Sequence, residues 1–402
     1  MRVGSFSTIA ILCAALVGVA GTAFAEQGVT PSEVRFAQVA ALEGPAGALG
    51  SGMNTGLRAA FEEVNRAGGL AGRKLVLEAF DDGYEPSKSV EETRKLLAKD
   101  DHIALIGPVG TPTSAATQPL ATEAGWPVLG PFTGAGFLRD PGLRNVFNLR
   151  ASYDAETETW IKLLADTRGY TRIGILYQDD SFGRAGLKGV EAALDRRGLK
   201  PIARGAYPRN TLAVKAALLD IRRSGAEAVV MIGAYKPVAE FIRVARKIDF
   251  RPDFITISFV GTDALVGELG RDGAGVIISQ VVPYPMDSSV PVVARYTEAL
   301  KALDPEAQPS FISLEGYLVG RLAIAGLEAS GATLTRASYL AALQGLGDVD
   351  LDGLVLHFGK DDNQGLDEVF LTQISPEGTI TPLSPEAAKA AKADCVAPAV
   401  GG

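Results

Sequence analysis

Histidine and cysteine are almost missing from this chain: its 402 residues contain two of each. Cys13 lies in an N-terminal apolar segment, which leaves Cys395 as the one thiol beyond it and excludes an intramolecular disulfide there. His102 and His357 belong to no His/Cys cluster and no HExxH pattern, so the sequence supports no metal site. A serine nucleophile needs a base beside it, and the chain has no Gly-x-Ser-x-Gly elbow. The Gly107 loop lacks the Gly-Lys pair of a phosphate-binding loop. Gly134-Ala135-Gly136-Phe137-Leu138-Arg139 is a fragment of a dinucleotide fingerprint without its third glycine. The acidic pairs Asp179-Asp180 and Asp361-Asp362 fall in predicted turns, where a solvated face is the ordinary reading. These absences argue against an enzyme, a cofactor and catalytic residues of any kind.

Blocks of Lys and Arg are also absent, and the formal net charge is -8, so nothing attracts nucleic acid or anionic lipid. Long apolar runs are confined to the start. Met1 to Ala25 carries Arg2, an apolar stretch from Ile9 to Val19, and the small-x-small triplet Ala23-Phe24-Ala25, which together read as a secretory signal. The stretch is too short and wrongly flanked for a membrane span. Leu12 precedes Cys13 where a lipidated cysteine wants a small residue, so the mature protein is expected to be unanchored and periplasmic.

What is present is a packed α/β chain, 47% apolar and 21% charged, long enough for two lobes. Strand-like runs alternate with amphipathic stretches: Val34 to Ala40, Lys74 to Ala79, Ile103 to Ile106 and Pro127 to Leu129 are strands, with helices at Gly52 to Arg66, Lys88 to Lys99 and Ser114 to Ala124. The alternation restarts after Asn145 and runs through strands at Arg172, Pro201, Ala228, Phe254 and Gly275. Helices at Ser313 to Glu328 and Thr335 to Leu343 follow, then a strand-rich end from Val355 to Ile380. Such alternation predicts two Rossmann-like lobes with parallel sheets.

Several ordered motifs carry a resemblance. They are Arg35-Phe36-Ala37-Gln38, Glu43-Gly44-Pro45, Ala59 through Arg73 (AAFEEVNRAGGLAGR), Asp81-Asp82, Ile106-Gly107-Pro108, Thr117-Gln118-Pro119 and Tyr177 through Gly183 (YQDDSFG). In this order, over about Val34 to Ile380, they resemble bacterial periplasmic solute-binding proteins of the leucine/isoleucine/valine-binding family. The resemblance implies a type I periplasmic binding fold, its lobes joined by three crossover strands, near Asn145 to Ser152, near Pro283, and near Gly345 to Leu351. It divides the chain into a signal at 1–25, a first lobe of 26–148 plus 283–345, a second of 149–282 plus 346–383, and a flexible tail at 384–402. It further implies a monomer that encloses a small organic ligand and presents it to an inner-membrane ABC transporter permease. A sensor role for the same fold would need a separate membrane partner.

By the same resemblance, Val109, Gly110 and Thr111 lie on the loop that holds the ligand carboxylate, and Phe132, Thr133 and Gly134 on a second polar loop. Phe182 matches a covering aromatic, and Tyr235 sits at another strand-to-helix turn. Leu49 stands where family members carry an aromatic, and Tyr84 and Gly110 where some carry a cysteine pair. The acidic partner of a ligand ammonium is replaced by Phe259, with Asp263 as the candidate substitute. These departures favour a ligand with one polar end and an apolar body, since an unpaired buried ammonium costs several kcal/mol.

Overall fold

Ala228–Ile232 is buried at every position, as a strand must be when helices cover both faces of its sheet. The computed structural model describes residues 27–331 and 333–389. The expected signal at 1–25 and Cys395 lie outside them.

Five parallel strands form the first sheet: β1 Glu33–Ala40, β2 Lys74–Asp81, β3 Ala104–Ile106, β4 Val128–Leu129 and β5 Val146–Phe147. Their spatial order is β2-β1-β3-β4-β5. Helices α1 Gly47–Arg66, α2 Pro86–Lys99 and α3 Thr111–Glu123 connect them. The reversal of winding between β1 and β3 opens a crevice at their carboxyl ends, which is where a ligand is expected in such a sheet.

The second sheet repeats the device. Helix α4 Tyr153–Ile161 leads to β6 Ile173–Gln178, α5 Ser181–Asp195, β7 Ala203–Tyr207, α6 Lys215–Arg223, β8 Ala228–Ile232, α7 Tyr235–Lys247, β9 Asp253–Thr256, α8 Thr262–Leu269 and β10 Ile277–Gln280. Helix α8 has no counterpart in the sequence reading. The parallel part runs β10-β9-β8-β6-β7, so the crevice falls between β6 and β8.

Helices α9 Pro291–Leu303 and α10 Phe311–Ala329 then return to pack on α1. The approach of α1 and α10 requires glycine: a Cβ on Gly56 would lie 1.9 Å from the Ser313 carbonyl oxygen, and one on Gly316 2.3 Å from that of Met53. Helix α9, which the sequence reading passes over, starts at Pro291 in the first turn, where the missing N–H costs nothing. Helix α1 begins at Gly47 rather than Gly52, because its first turn is glycine and alanine and gives little periodic signal.

Helix α11 Arg336–Gln344 is followed by the hairpin β11 Asp348–Leu351 and β12 Leu354–His357, then by β13 Phe370–Ile374, which joins the second sheet antiparallel to β10, and β14 Ile380–Pro382, which pairs antiparallel with β13. The hairpin stays against the first lobe, since Asp352 pairs with Arg295 at 3.1 Å and Arg321 at 3.0 Å. The chain therefore does not cross at Gly345 to Leu351. It crosses farther on, where the Asn148 and Leu149 backbones exchange hydrogen bonds with Asn363, Gly365 and Leu366, and the two crossing segments run side by side. Past it, the short helix α12 Pro385–Lys389 docks on the second lobe, with the Arg168 guanidinium donating to the Ala387 and Ala388 carbonyls.

Candidate functional site

The two crevices face each other, and their loops carry most of the residues singled out from sequence. After β2, the buried Asp82 carboxylate accepts from the Tyr84 N–H at 2.8 Å and the Ser89 hydroxyl at 2.7 Å. Burial pushes that carboxyl up to about 6, although both hydrogen bonds pull it back. This turn holds Tyr84 at φ +63°, an uncommon conformation for a bulky residue, and lays its ring on Gly110. A Cβ at Gly110 would sit 2.2 Å from Tyr84 Cε2, and Gly110 itself has φ +107°. The two positions that the resemblance matches to a cysteine pair of some family members are thus in contact here, filled by a ring and a bare backbone.

Gly110 precedes α3, whose first residue Thr111 shares a 2.7 Å hydrogen bond between hydroxyls with Thr133. Thr133 in turn donates to the Tyr153 hydroxyl at 3.2 Å. Both threonines are buried. The two loops run parallel at Val109 and Phe132, with the Phe132 N–H donating to the Pro108 carbonyl and its carbonyl accepting from the Gly110 N–H, and Gly134 lacks a Cβ where one would meet Tyr153 Cδ1 at 2.5 Å.

Phe259 lies at the centre of the cleft. Its ring is 4.5 Å from Phe182, 5.5 Å from Phe132 and 5.9 Å from Tyr84, and Tyr153 stacks 5.6 Å from Phe182. Tyr84 and Phe132 come from the first lobe, Phe182 and Phe259 from the second, and all are buried. The lobes therefore meet through an aromatic cluster, whose tilted ring pairs add about 0.5–1.5 kcal/mol each beyond their area. Leu49 and Tyr235 pack nearby against Gly261, where a Cβ would lie 2.6 Å from Leu49 Cδ2 and 3.7 Å from Tyr235 Cδ1.

Beneath this cluster runs a buried ionic network that sequence reasoning missed. Arg150, on the first crossing segment, donates to both Glu315 carboxylate oxygens at 2.8 and 2.7 Å and to the Ser258 hydroxyl at 3.0 Å. Its guanidinium also stands 4.1 Å from the Phe132 ring centroid. Glu156 accepts from the Ser258 N–H and hydroxyl, each at 2.9 Å, and from the Ser279 hydroxyl. Burial raises the Glu156 pKa against the pull of Arg150. For Arg150 burial favours the neutral form, but Glu315 outweighs it and the pKa is raised. Arg139 fastens the crossing itself, donating to the Arg150 carbonyl at 2.8 Å, the Ala135 carbonyl at 3.0 Å and the Gln364 side chain. One signal was available: Glu315 is a charged residue on the apolar face of α10, whose neighbours Leu314 and Leu318 are fully buried.

Asp263 is the exception among the sequence candidates. It occupies the first turn of α8 with its side chain exposed, directed to the Phe311 N–H at the start of α10 rather than into the aromatic cluster. Desolvation nonetheless pushes its carboxyl up to about 6, against the pull of its backbone hydrogen bonds. At the opposite edge, the lobes are fastened by Glu85, which accepts from Arg209 at 2.9 Å and from Asn210 at 2.7 Å. Among the described residues, no group of three or more His, Cys, Asp and Glu side chains is placed to hold a metal, and no helix is long and apolar enough to cross a membrane.

Two α/β lobes with opposed crevices and buried polar loops between them have the architecture of a solute-binding protein. Comparison with known proteins agrees: residues 33–379 match the periplasmic binding protein family, and the chain belongs to it. Leu/Ile/Val-binding protein homolog 8 of Brucella suis biovar 1 (strain 1330) is 26% identical over 406 residues, covering 95% of this chain and 98% of its own. Among solved structures, a possible leucine/isoleucine/valine-binding protein from Rhodopirellula baltica SH 1 superposes with a TM-score of 0.84 at 36% identity, over 90% of this chain and 99% of that one. A substrate-binding periplasmic protein from Ralstonia solanacearum gives 0.81 at 29% identity, over 87% and 99%. These relatives are binding proteins and not enzymes, and family membership places the chain outside the cytoplasm.

Proposed function

We propose that this chain is the solute-binding component of an ABC importer, enclosing one small organic molecule between its lobes and presenting the closed form to a permease. The carrying observation is the cleft, where buried aromatics of both lobes converge on hydroxyl-bearing loops. The ligand class is a hydrophobic or branched-chain amino acid or a related apolar carboxylate. The carboxylate form is favoured because the acidic groups beneath the cluster, Glu156 and Glu315, already have partners, and Asp263 is directed to the Phe311 N–H. Screening amino acids, amides, and aromatic and aliphatic acids by thermal shift and calorimetry tests this reading. Reversible one-to-one binding at micromolar or tighter affinity is expected, about 8 kcal/mol or more. Chemical conversion of a bound compound by the purified protein rejects it.

A further inference from the structure

The cleft mouth contains a cavity of about 160 Å³ that is distinct from the aromatic cluster. Pro45 and Ala46 of the first lobe wall it on one side, and Leu212, Lys236 and Pro237 of the second on the other. Most of this wall is apolar. Leu212, 52% exposed, is among the most exposed large apolar side chains described in the molecule. A dry cavity of about 150 Å³ takes a benzene-sized group.

The charges around it are unequal in their commitments. Arg209, next to the lining Asn210, is paired with Glu85 and Asp180. The lining amides are engaged as well, with Gln178 donating to Asp180 at 2.7 Å and Asn210 to Glu85. Lys236 makes no ion pair or hydrogen bond among the described residues, and its ammonium lies 5.8 Å from the Tyr235 ring. Expelling water from this mouth on closure strengthens the attraction of that ammonium for an anion. The threonine loop, by contrast, has its hydroxyls bonded to one another and buried.

We infer that the mouth cavity is a subsite for an organic anion, whose carboxylate pairs with Lys236 while its benzene-sized apolar body rests on Pro45, Ala46, Leu212 and Pro237. This rests on the binding reading above and makes the ligand an acid rather than a zwitterion or a neutral amide.

Benzoate and benzamide are matched in shape and differ in charge, so their ratio of affinities reads the cation directly. Calorimetric titration of both into wild type, Lys236→Met and Lys236→Arg is the test, with melting in the absence of solute to verify folding. Wild type is expected to favour benzoate by about tenfold or more, the scale of one charge-assisted hydrogen bond. Lys236→Met should bring the ratio near one, and Lys236→Arg should keep most of it. A ratio unchanged in folded Lys236→Met overturns the assignment, because the anion then binds elsewhere. Wild type that takes leucine but refuses benzoate overturns it too, while leaving the binding reading standing. Failure of every amino acid, amide and acid to bind overturns both.

Discussion

Gly110 and Tyr84 show how far one residue's geometry governs the cleft. An alanine at Gly110 would have to hold φ +107° and drive its methyl into the Tyr84 ring, itself pinned by Asp82. Gly110→Ala is expected to cost about 2–5 kcal/mol from backbone strain and overlap combined. Gly68 has nearly the same φ, +104°, but nothing within 4 Å of its Cβ position, so Gly68→Ala should lose only the strain. Urea unfolding of both variants, compared at equal m-value, checks the difference. Equal losses would show that Tyr84 is not held against the loop.

Elements are joined here by charge as well as by packing. Arg150 on the first crossing segment locks onto Glu315 of α10 and Ser258 before α8, so one side chain ties both lobes to the crossing. Removing one member of a buried pair typically costs about 3–5 kcal/mol, because the other is left uncompensated. Glu315→Met leaves Arg150 with Glu156 as a counter-charge, whereas Arg150→Met strands two carboxylates. Arg150→Met is therefore expected to be the more destabilising, and the double variant less destabilised than the sum of the singles. A double-mutant cycle from denaturant midpoints measures this coupling. Additive losses would mean that the network is held by its hydroxyl partners alone.

For the whole molecule, the expected motion is closure about the crossing segments, with the Phe259 cluster and the Glu85–Arg209–Asn210 contact forming as the lobes meet. Small-angle scattering should show a smaller radius of gyration on saturation with a verified ligand, and an unchanged radius counts against closure. Arg209→Ala removes a partly exposed interlobe pair, which at the surface is worth about 0–1 kcal/mol. It should shift the unliganded protein toward the open form modestly, with weaker ligand binding and unchanged stability of either lobe. Raising the salt concentration should move wild type the same way.

Local pattern carried most of the architecture into the sequence. Ala228–Ile232, uniformly apolar, declares itself a covered parallel strand, and the strand-turn-helix alternation implies the crevices at β1/β3 and β6/β8. Phe132 and Thr133 stand on a loop beyond β4, whose carboxyl end must line such a crevice, whereas Phe182 and Phe259 were singled out through the family resemblance. Other features required the folded chain. Arg150 and Glu315 are separated by 165 positions, and their pairing depends on where a crossing segment meets a returning helix. Asp263 carries the charge the resemblance called for, yet the first turn of α8 leaves it exposed and directed to the Phe311 N–H. The third crossing moved past the hairpin because Asp352 finds Arg295 and Arg321 on the first lobe. Periodicity reports which face of an element is buried, whereas the partner of a charge is fixed by long-range packing that no local spacing encodes.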